Sequence, residues 1–256
     1  MKSEITPLIL TYNEEANIAR TLAALSWAKQ IVIVDSGSTD DTLELAREAH
    51  PNIRVFTRSF DTHANQWNFG LQQIQTEWVL TLDADYEVSP ELADEIQSLN
   101  PGLEIVGYKT EFEYRIRGRS LRASVYPPRI VLFRPQDASY FDDGHTQRLR
   151  TNGTVEKLNG KIYHDDRKSF HQWLEAQKRY TKLEAKHLCA TPFSELIAAD
   201  RLRRLIFPAA PMIFLYLLIG RGLILDGWPG WVYVGQRTIA EILLSYRLIL
   251  EGMRQS

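Results

Sequence analysis

The chain has a single cysteine, Cys189, in 256 residues, which rules out an internal disulfide framework and fits a reducing compartment. It has almost no net charge: 30 Lys and Arg stand against 32 Asp and Glu, for −2 at pH 7, so no nucleic acid partner is expected. It also lacks an uninterrupted apolar run of the about 20 residues that a membrane-crossing helix needs. Its longest candidate, Ile206 to Ile219, is 14 apolar or proline residues holding Pro208 and Pro211. Met1 to Pro7 shows no charged-then-apolar leader, which sets the expectation of a protein kept in the cytoplasm. No Gly-x-Gly-x-x-Gly follows a strand, no phosphate loop ends in Gly-Lys-Ser/Thr, and no Gly-x-Ser-x-Gly elbow occurs. Dinucleotide-dependent dehydrogenases, phosphate-loop nucleotidases and elbow-type serine hydrolases are therefore disfavoured.

The apolar fraction of 44% and charged fraction of 24% are ordinary for a globular chain, long enough for one large domain with or without an appendage. The central stretch is Glu77-Trp-Val-Leu-Thr-Leu-Asp-Ala-Asp85, an apolar, β-prone run ending in two carboxylates. In extended chain, residues two apart share a side, so Asp83 and Asp85 point together and call for a cation. Oxygen ligands suit Mg²⁺ or Mn²⁺, and either ion suits a diphosphate. The plainer reading of the pair is a turn cap after the strand. The preceding residues alternate between strand and helix patterns: Ile5 to Thr11, a helix after an Asn13 cap, Ile31 to Asp35, a helix behind a capping-box-like Ser38 and Asp41, Ile53 to Thr57, and a helix from Asn65 to Ile74. Such alternation predicts an α/β fold with a mainly parallel sheet, whose ligands bind beyond the carboxyl ends of the strands. Thr11, Asp35, Asp83 and Asp85 all fall at those ends.

Three segments, Leu10-Thr-Tyr-Asn-Glu-Glu-Ala-Asn-Ile18, Val34-Asp-Ser-Gly-Ser-Thr-Asp-Asp-Thr42 and Leu80-Thr-Leu-Asp-Ala-Asp85, resemble in order and spacing the successive motifs of family 2 glycosyltransferases. The likeness is greatest to small bacterial enzymes that glycosylate lipopolysaccharide core or other lipid-linked glycans. The resemblance implies a GT-A fold, a nucleotide-diphosphate sugar donor (a UDP-sugar) and an inverting mechanism. By position it places Thr11, Tyr12 and Glu14 near base and ribose, Asp35 on the base edge, Asp83 on ribose or sugar, and Asp85 on the metal. Asn68 joins the donor-binding set. Two departures stand out: Tyr86 where relatives often carry Glu, and Trp67 where they often carry Arg ahead of Asn68.

From Val106 to Arg134 long alternating runs predict antiparallel strands carrying Arg115, Arg117, Arg119, Arg122, Arg129 and Arg134. Most read as a solvated strand face; Arg129 matches a family arginine and is the one expected to grip a phosphate. An inverting transferase needs a group that takes the proton from the attacking hydroxyl. Relatives often present Glu where this chain has Gln147, so Asp143 is the candidate base, with Asp142 and His145 behind it; a loop carboxylate capping a turn is the plainer alternative. His164, after a predicted strand from Lys157 to Tyr163, matches a family histidine that faces diphosphate and metal.

Beyond a long helix from Ser169 to Leu188 the composition changes. Arginines, two prolines and the aromatic residues Trp228, Trp231 and Tyr233 suit a helix pair lying in a membrane interface, with packing on the rest of the chain or against a second copy, or a true span, as the rivals. The expected organisation is a GT-A catalytic domain over 1–190 and a helical, membrane-associating segment over 191–256. The resulting expectation is a cytoplasmic enzyme attached peripherally to the inner membrane face and acting on a lipid-linked glycan, with a homo-oligomer left open. Transfer to a polyprenyl phosphate, and a donor-binding protein without activity, are the alternatives.

Overall fold

The structure, a computed structural model, describes residues 4–143 and 146–255. Its elements run β1 (Ile5–Thr11), α1 (Ile18–Ala23), β2 (Ile31–Asp35), α2 (Thr42–Ala49), β3 (Ile53–Thr57), α3 (His63–Leu71), β4 (Trp78–Asp83), β5 (Tyr86–Val88), α4 (Pro90–Ser98), β6 (Ile105–Ile116), β7 (Arg119–Ser120), β8 (Arg129–Phe133), β9 (Ala138–Asp143), β10 (Thr146–Thr151) and β11 (Thr154–His164). Helices α5 (Phe170–Ala190), α6 (Ala198–Arg204), α7 (Ala209–Leu215) and α8 (Trp228–Gln255) follow. Two compact units result. One comprises 1–118, 125–142 and 147–167; the other comprises 119–124, 143–146 and 168–256.

The first unit is built on a sheet in the order β3-β2-β1-β4-β8-β6-β11-β5. Strands β1 to β4 pair in parallel, β8 runs antiparallel between β4 and β6, and β11 lies parallel to β6. This is the mixed, mainly parallel, helix-flanked sheet expected. The near-continuous apolar strands explain it: Ile31 to Val34, Val79, Leu80 and Leu82 are all inaccessible to solvent, as strands covered on both faces must be. One face buries Ile9, Ile18, Leu22, Ile33, Leu80 and Leu92, and the other buries Leu8, Val34, Trp67, Val79 and Phe133.

Two local expectations are corrected. Asn13 does not cap a helix: it sits at φ 54°, its side chain accepts from Thr39 N, and α1 starts five residues later. Asparagine tolerates this left-handed conformation better than most residues, which is why the loop after β1 turns there. Ser38 likewise makes no capping box for α2; its hydroxyl donates to Asp35.

Strand β11 meets α4 through Gly160. A Cβ there would stand 2.4 Å from Leu92 Cα and 2.5 Å from Leu92 N, both backbone atoms, while Glu95 accepts from the Asn159 and Gly160 amides at 3.0 and 2.9 Å. Gly160→Ala is therefore expected to cost about 2 to 3 kcal/mol through overpacking, seen as a lowered urea midpoint at unchanged slope.

In the second unit α5 is closed at its start by a capping box between Ser169 and Gln172. Its Ala185 and Leu188 share a core with Leu196, Leu244 and Leu248, so α5 packs with α8. Among the described residues no helix is long and apolar enough to cross a membrane.

Candidate functional site

Strand direction gathers the site. Strands β1, β2, β4 and β11 all end at one edge of the sheet, and β8, running the opposite way, begins there. Thr11 pairs in register with Asp35, and Leu10 with Asp83, so the three polar ends lie level. Arg129 opens β8 and His164 closes β11 at this edge.

Asp35 is 1% exposed and fully engaged. Its Oδ1 accepts from Thr11 Oγ1 at 3.0 Å and Ser38 Oγ at 2.6 Å, and its Oδ2 accepts from the Gly37 and Ser38 amides at 2.9 Å each. Four donors fill the about four acceptor positions of a carboxylate. As the chain stands, Asp35 shapes the loops that would hold a base. Ser38 Oγ in turn accepts from Asn13 N, and Thr42 Oγ1 from Glu14 N, stitching the β1 and β2 loops together. Tyr12 stands 44% exposed above them, and Glu14 accepts from Asn17 Nδ2 at 2.9 Å.

Across the edge, Asp85 Oδ2 lies 3.0 Å from His164 Nε2. The His164 ring is enclosed by Tyr86, Tyr114 and Tyr126 at 5.1, 4.5 and 4.9 Å between centroids. Tyr86, one of the two departures from the family pattern, thus walls in the histidine, and its hydroxyl meets that of Tyr126 at 2.7 Å. Arg129 lies over the Tyr126 ring at 4.7 Å.

The electrostatics follow from this crowding. Burial first, and the Asp85 charge second, push the Asp83 carboxyl above its ordinary pKa, against the opposing pull of Arg129 and His63. Burial alone would lower the His164 pKa, but the charge and hydrogen bond of Asp85 raise it. Burial pushes the Tyr126 hydroxyl up to about 12. Two carboxyl groups, Asp83 and Asp85, thus share a crowded space with Tyr86, Tyr114, Tyr126 and one arginine, where an added cation would be strongly held.

Among the described residues no group of three or more His, Cys, Asp or Glu forms a ready metal centre. The residues present still fit an ion bridged to a diphosphate. Two neighbouring ligands on an octahedral ion at about 2.1 Å stand about 3.0 Å apart, and such ions take one or two protein ligands and complete their shell with phosphate oxygens and water. Asp85 and His164 have that spacing.

The other candidates sit differently. Asn68 uses both ends of its amide on the Tyr140 backbone, at 2.9 Å each, and ties α3 to β9. Trp67 is 3% exposed and stacks on Tyr140 at 5.4 Å, so its side chain belongs to the core. Loss of the two backbone bonds in Asn68→Ala is expected to cost about 2 kcal/mol, read as a lowered unfolding midpoint. Asp142 accepts from Ala64 N at 3.3 Å, at the start of α3. Asp143 ends β9, and its side chain, like all of His145, lies outside the described residues. Of the arginines in the basic region, Arg134 is buried against Glu77 and Trp78, Arg115 pairs with Glu113, and Arg122 pairs with Asp226.

Sequence reasoning missed Asp165. Its side chain is wholly buried, and its Oδ2 accepts from Gly118 N at 2.8 Å and from Arg167 Nε at 3.0 Å, with Arg20 at 3.6 Å. Its own amide donates to the Asp85 carbonyl at 3.3 Å. A carboxylate directly after a candidate ligand and two residues before an arginine was the available signal.

Several known proteins are similar in sequence to this chain. An uncharacterised glycosyltransferase of Rickettsia typhi is 26% identical over 201 residues, covering 72% of this chain and 68% of its own. The lipopolysaccharide core biosynthesis glycosyltransferase LpsC of Rhizobium meliloti is 33% identical over 112 residues, 42% of each chain. Among solved structures, Staphylococcus aureus TarS 1–349 in complex with UDP-GlcNAc is 16% identical at a TM-score of 0.45, covering 100% of this chain and 92% of its own. The model of glycosyl transferase family 2 matches residues 8–148, which is more than half of the 256 and includes all three motif segments and the ends of β1, β2 and β4. The chain is a glycosyltransferase with a GT-A sheet, and it belongs to glycosyl transferase family 2.

Proposed function

We propose that this glycosyltransferase moves a sugar from a UDP-sugar to a hydroxyl of a lipid-linked glycan or lipopolysaccharide core, with inversion and with Mg²⁺ or Mn²⁺, at the cytoplasmic face of the membrane. The observation that carries the donor half is the Asp85–His164 pair, 3.0 Å apart at the strand edge that also holds Thr11, Asp35 and Asp83. Asp85 and His164 would hold the ion, and Arg129 would face the phosphates beside Asp83. The ion, when bound, would neutralise the charge that develops on the departing diphosphate. Thr11, Tyr12 and Glu14 would border base and ribose, with Asp35 holding their loops in shape. The acceptor half rests on the family resemblance and on the name of the LpsC relative.

The base that takes the acceptor proton is assigned to Asp143, because Asp142 already serves the first turn of α3 and Gln147 has no basic group. The same engagement of Asp142 favours one second reading. A polyprenyl phosphate acceptor is anionic already and needs no base. Asp143→Asn separates the two: transfer to a hydroxyl acceptor is expected to fall by about 10² or more, whereas transfer to a phosphate would stay near wild type. The parent reading is tested by a hydrolysis screen of UDP- and GDP-sugars with and without Mn²⁺. Metal-stimulated hydrolysis of one UDP-sugar supports it, and no turnover of any donor would overturn it.

A further inference from the structure

The second unit carries a surface that its own core does not use. Between Asp200 and Asp226 the chain holds four arginines and no carboxylate. Arg203 is spent internally, on Glu241 at 2.8 Å and Asp200 at 2.9 Å. Among the described residues Arg201 and Arg204 bond only backbone carbonyls and approach Phe193, and Arg221 reaches only the Ser124 carbonyl. None of these three is paired with a carboxylate among the described residues. Alongside them Phe207, Leu215, Ile219, Leu225, Trp228 and Trp231 stand 86, 54, 67, 71, 46 and 48% exposed. Large apolar side chains exposed in such number on one short stretch mark a contact surface.

Its dimensions exclude a span. The helical stretch from Ala209 through Gly220 is α7 followed by one turn of wider helix, in all about 18 Å at 1.5 Å per residue, against a hydrocarbon core of about 30 Å. The chain then turns back through Gly222 and Gly227, both at positive φ, into α8. Such an element enters one leaflet only. Charge decides between lipid and a second copy of the chain. In a two-fold dimer the same patch meets itself, so the free arginines would face arginines and find no carboxylate. An anionic lipid surface offers the complementary charge along the rim, while Trp228, Trp231 and Tyr216 suit the headgroup boundary; Tyr233, expected with them, is instead 1% exposed and packs inside.

We infer that Phe207 to Trp231 is a one-leaflet docking surface for anionic phospholipid, with Arg201, Arg204 and Arg221 on the phosphates. This deepens the reading of a membrane-bound acceptor, but its test is independent of catalysis. The purified chain is sedimented with vesicles of phosphatidylcholine alone and of phosphatidylcholine mixed with phosphatidylglycerol. Binding to the mixed vesicles is expected to exceed binding to the neutral ones by at least about tenfold, and each of Arg204→Ala and Arg221→Ala is expected to lower it by roughly fivefold. Ile219→Glu with Leu225→Glu, both exposed, is expected to abolish binding while circular dichroism and UDP affinity stay unchanged. Equal binding to both vesicle types would overturn the inference. So would absence of vesicle binding together with a dimer, by analytical ultracentrifugation, that the Ile219→Glu/Leu225→Glu variant dissociates. Vesicle binding without donor hydrolysis would leave the docking surface standing and sink the proposed function alone.

Discussion

Asp85→Ala is expected to lower metal-stimulated kcat/KM for the nucleotide-sugar donor by about 10³-fold, close to 4 kcal/mol of transition-state stabilisation. The carboxylate has two tasks that no neighbour can assume. In the proposed site it would be one of two ion ligands, and it is the partner that holds the His164 ring in place at 3.0 Å. Asp83 is a poorer substitute, because burial raises its pKa and so works against its charged form. Removing Asp85 also removes the second cause of that shift, so the Asp83 pKa should fall and the fold should not suffer for want of charge balance. The variant should therefore unfold near the wild-type midpoint while its Mn²⁺ affinity, read by electron paramagnetic resonance of the free ion, drops sharply. Asp85→Asn keeps an oxygen and should fall between the two. Metal-stimulated activity that survives in Asp85→Ala would place the ion elsewhere.

The parts of this site that can be read in the sequence are those set by local pattern. Asp35, Asp83 and Asp85 follow apolar strand runs, and parallel strands deliver their ends to one edge, so their convergence follows from alternation alone. What cannot be read locally depends on partners far along the chain. The walls around His164 come from three separate segments: the β5–β11 and β6–β11 registers bring Tyr86 and Tyr114, and the segment ahead of β8 brings Tyr126. Trp67 and Asn68 lie on the expected helix, but its facing turns one into the core and the other onto the β9 backbone. Periodicity shows that α3 has a buried face without showing which residue meets which strand. Asn13 defeats reading for a different reason: the same asparagine serves equally as a helix cap and as a left-handed turn residue, and only the Ser38 and Thr39 contacts decide.

Asp165→Ala is expected to be the most destabilising of these single substitutions, at about 3 to 4 kcal/mol, lowering the thermal midpoint by about 6 to 16 °C for a chain of this size. Its carboxylate is wholly buried and answers Gly118 N, Arg167 and Arg20, while Arg20 also binds Glu87 at 2.6 Å, Asn17 Oδ1 and the Asp165 carbonyl. Alanine would strand the Gly118 amide and take one partner from each arginine. Arg167 and Arg20 are 40 and 21% exposed, so water recovers part of that loss and holds the figure at the lower end of the range for broken buried pairs. Asp165→Asn, whose amide oxygen can still accept from Gly118, is expected to cost about half as much. A second consequence separates position from mere stability. The Asp165 amide donates to the Asp85 carbonyl, and Asn17 Oδ1, which accepts from Arg20, also accepts from the Arg167 amide, so this cluster links α1, the Asp85 turn and the end of β11. At a temperature where Asp165→Asn is fully folded, the KM for donor should rise with little change in kcat, because the loops that receive the nucleotide lose their alignment before any reacting group is touched. An unchanged KM in the folded variant would reduce Asp165 to a scaffold residue, and an unchanged midpoint in Asp165→Ala would remove the buried cluster from the account of stability.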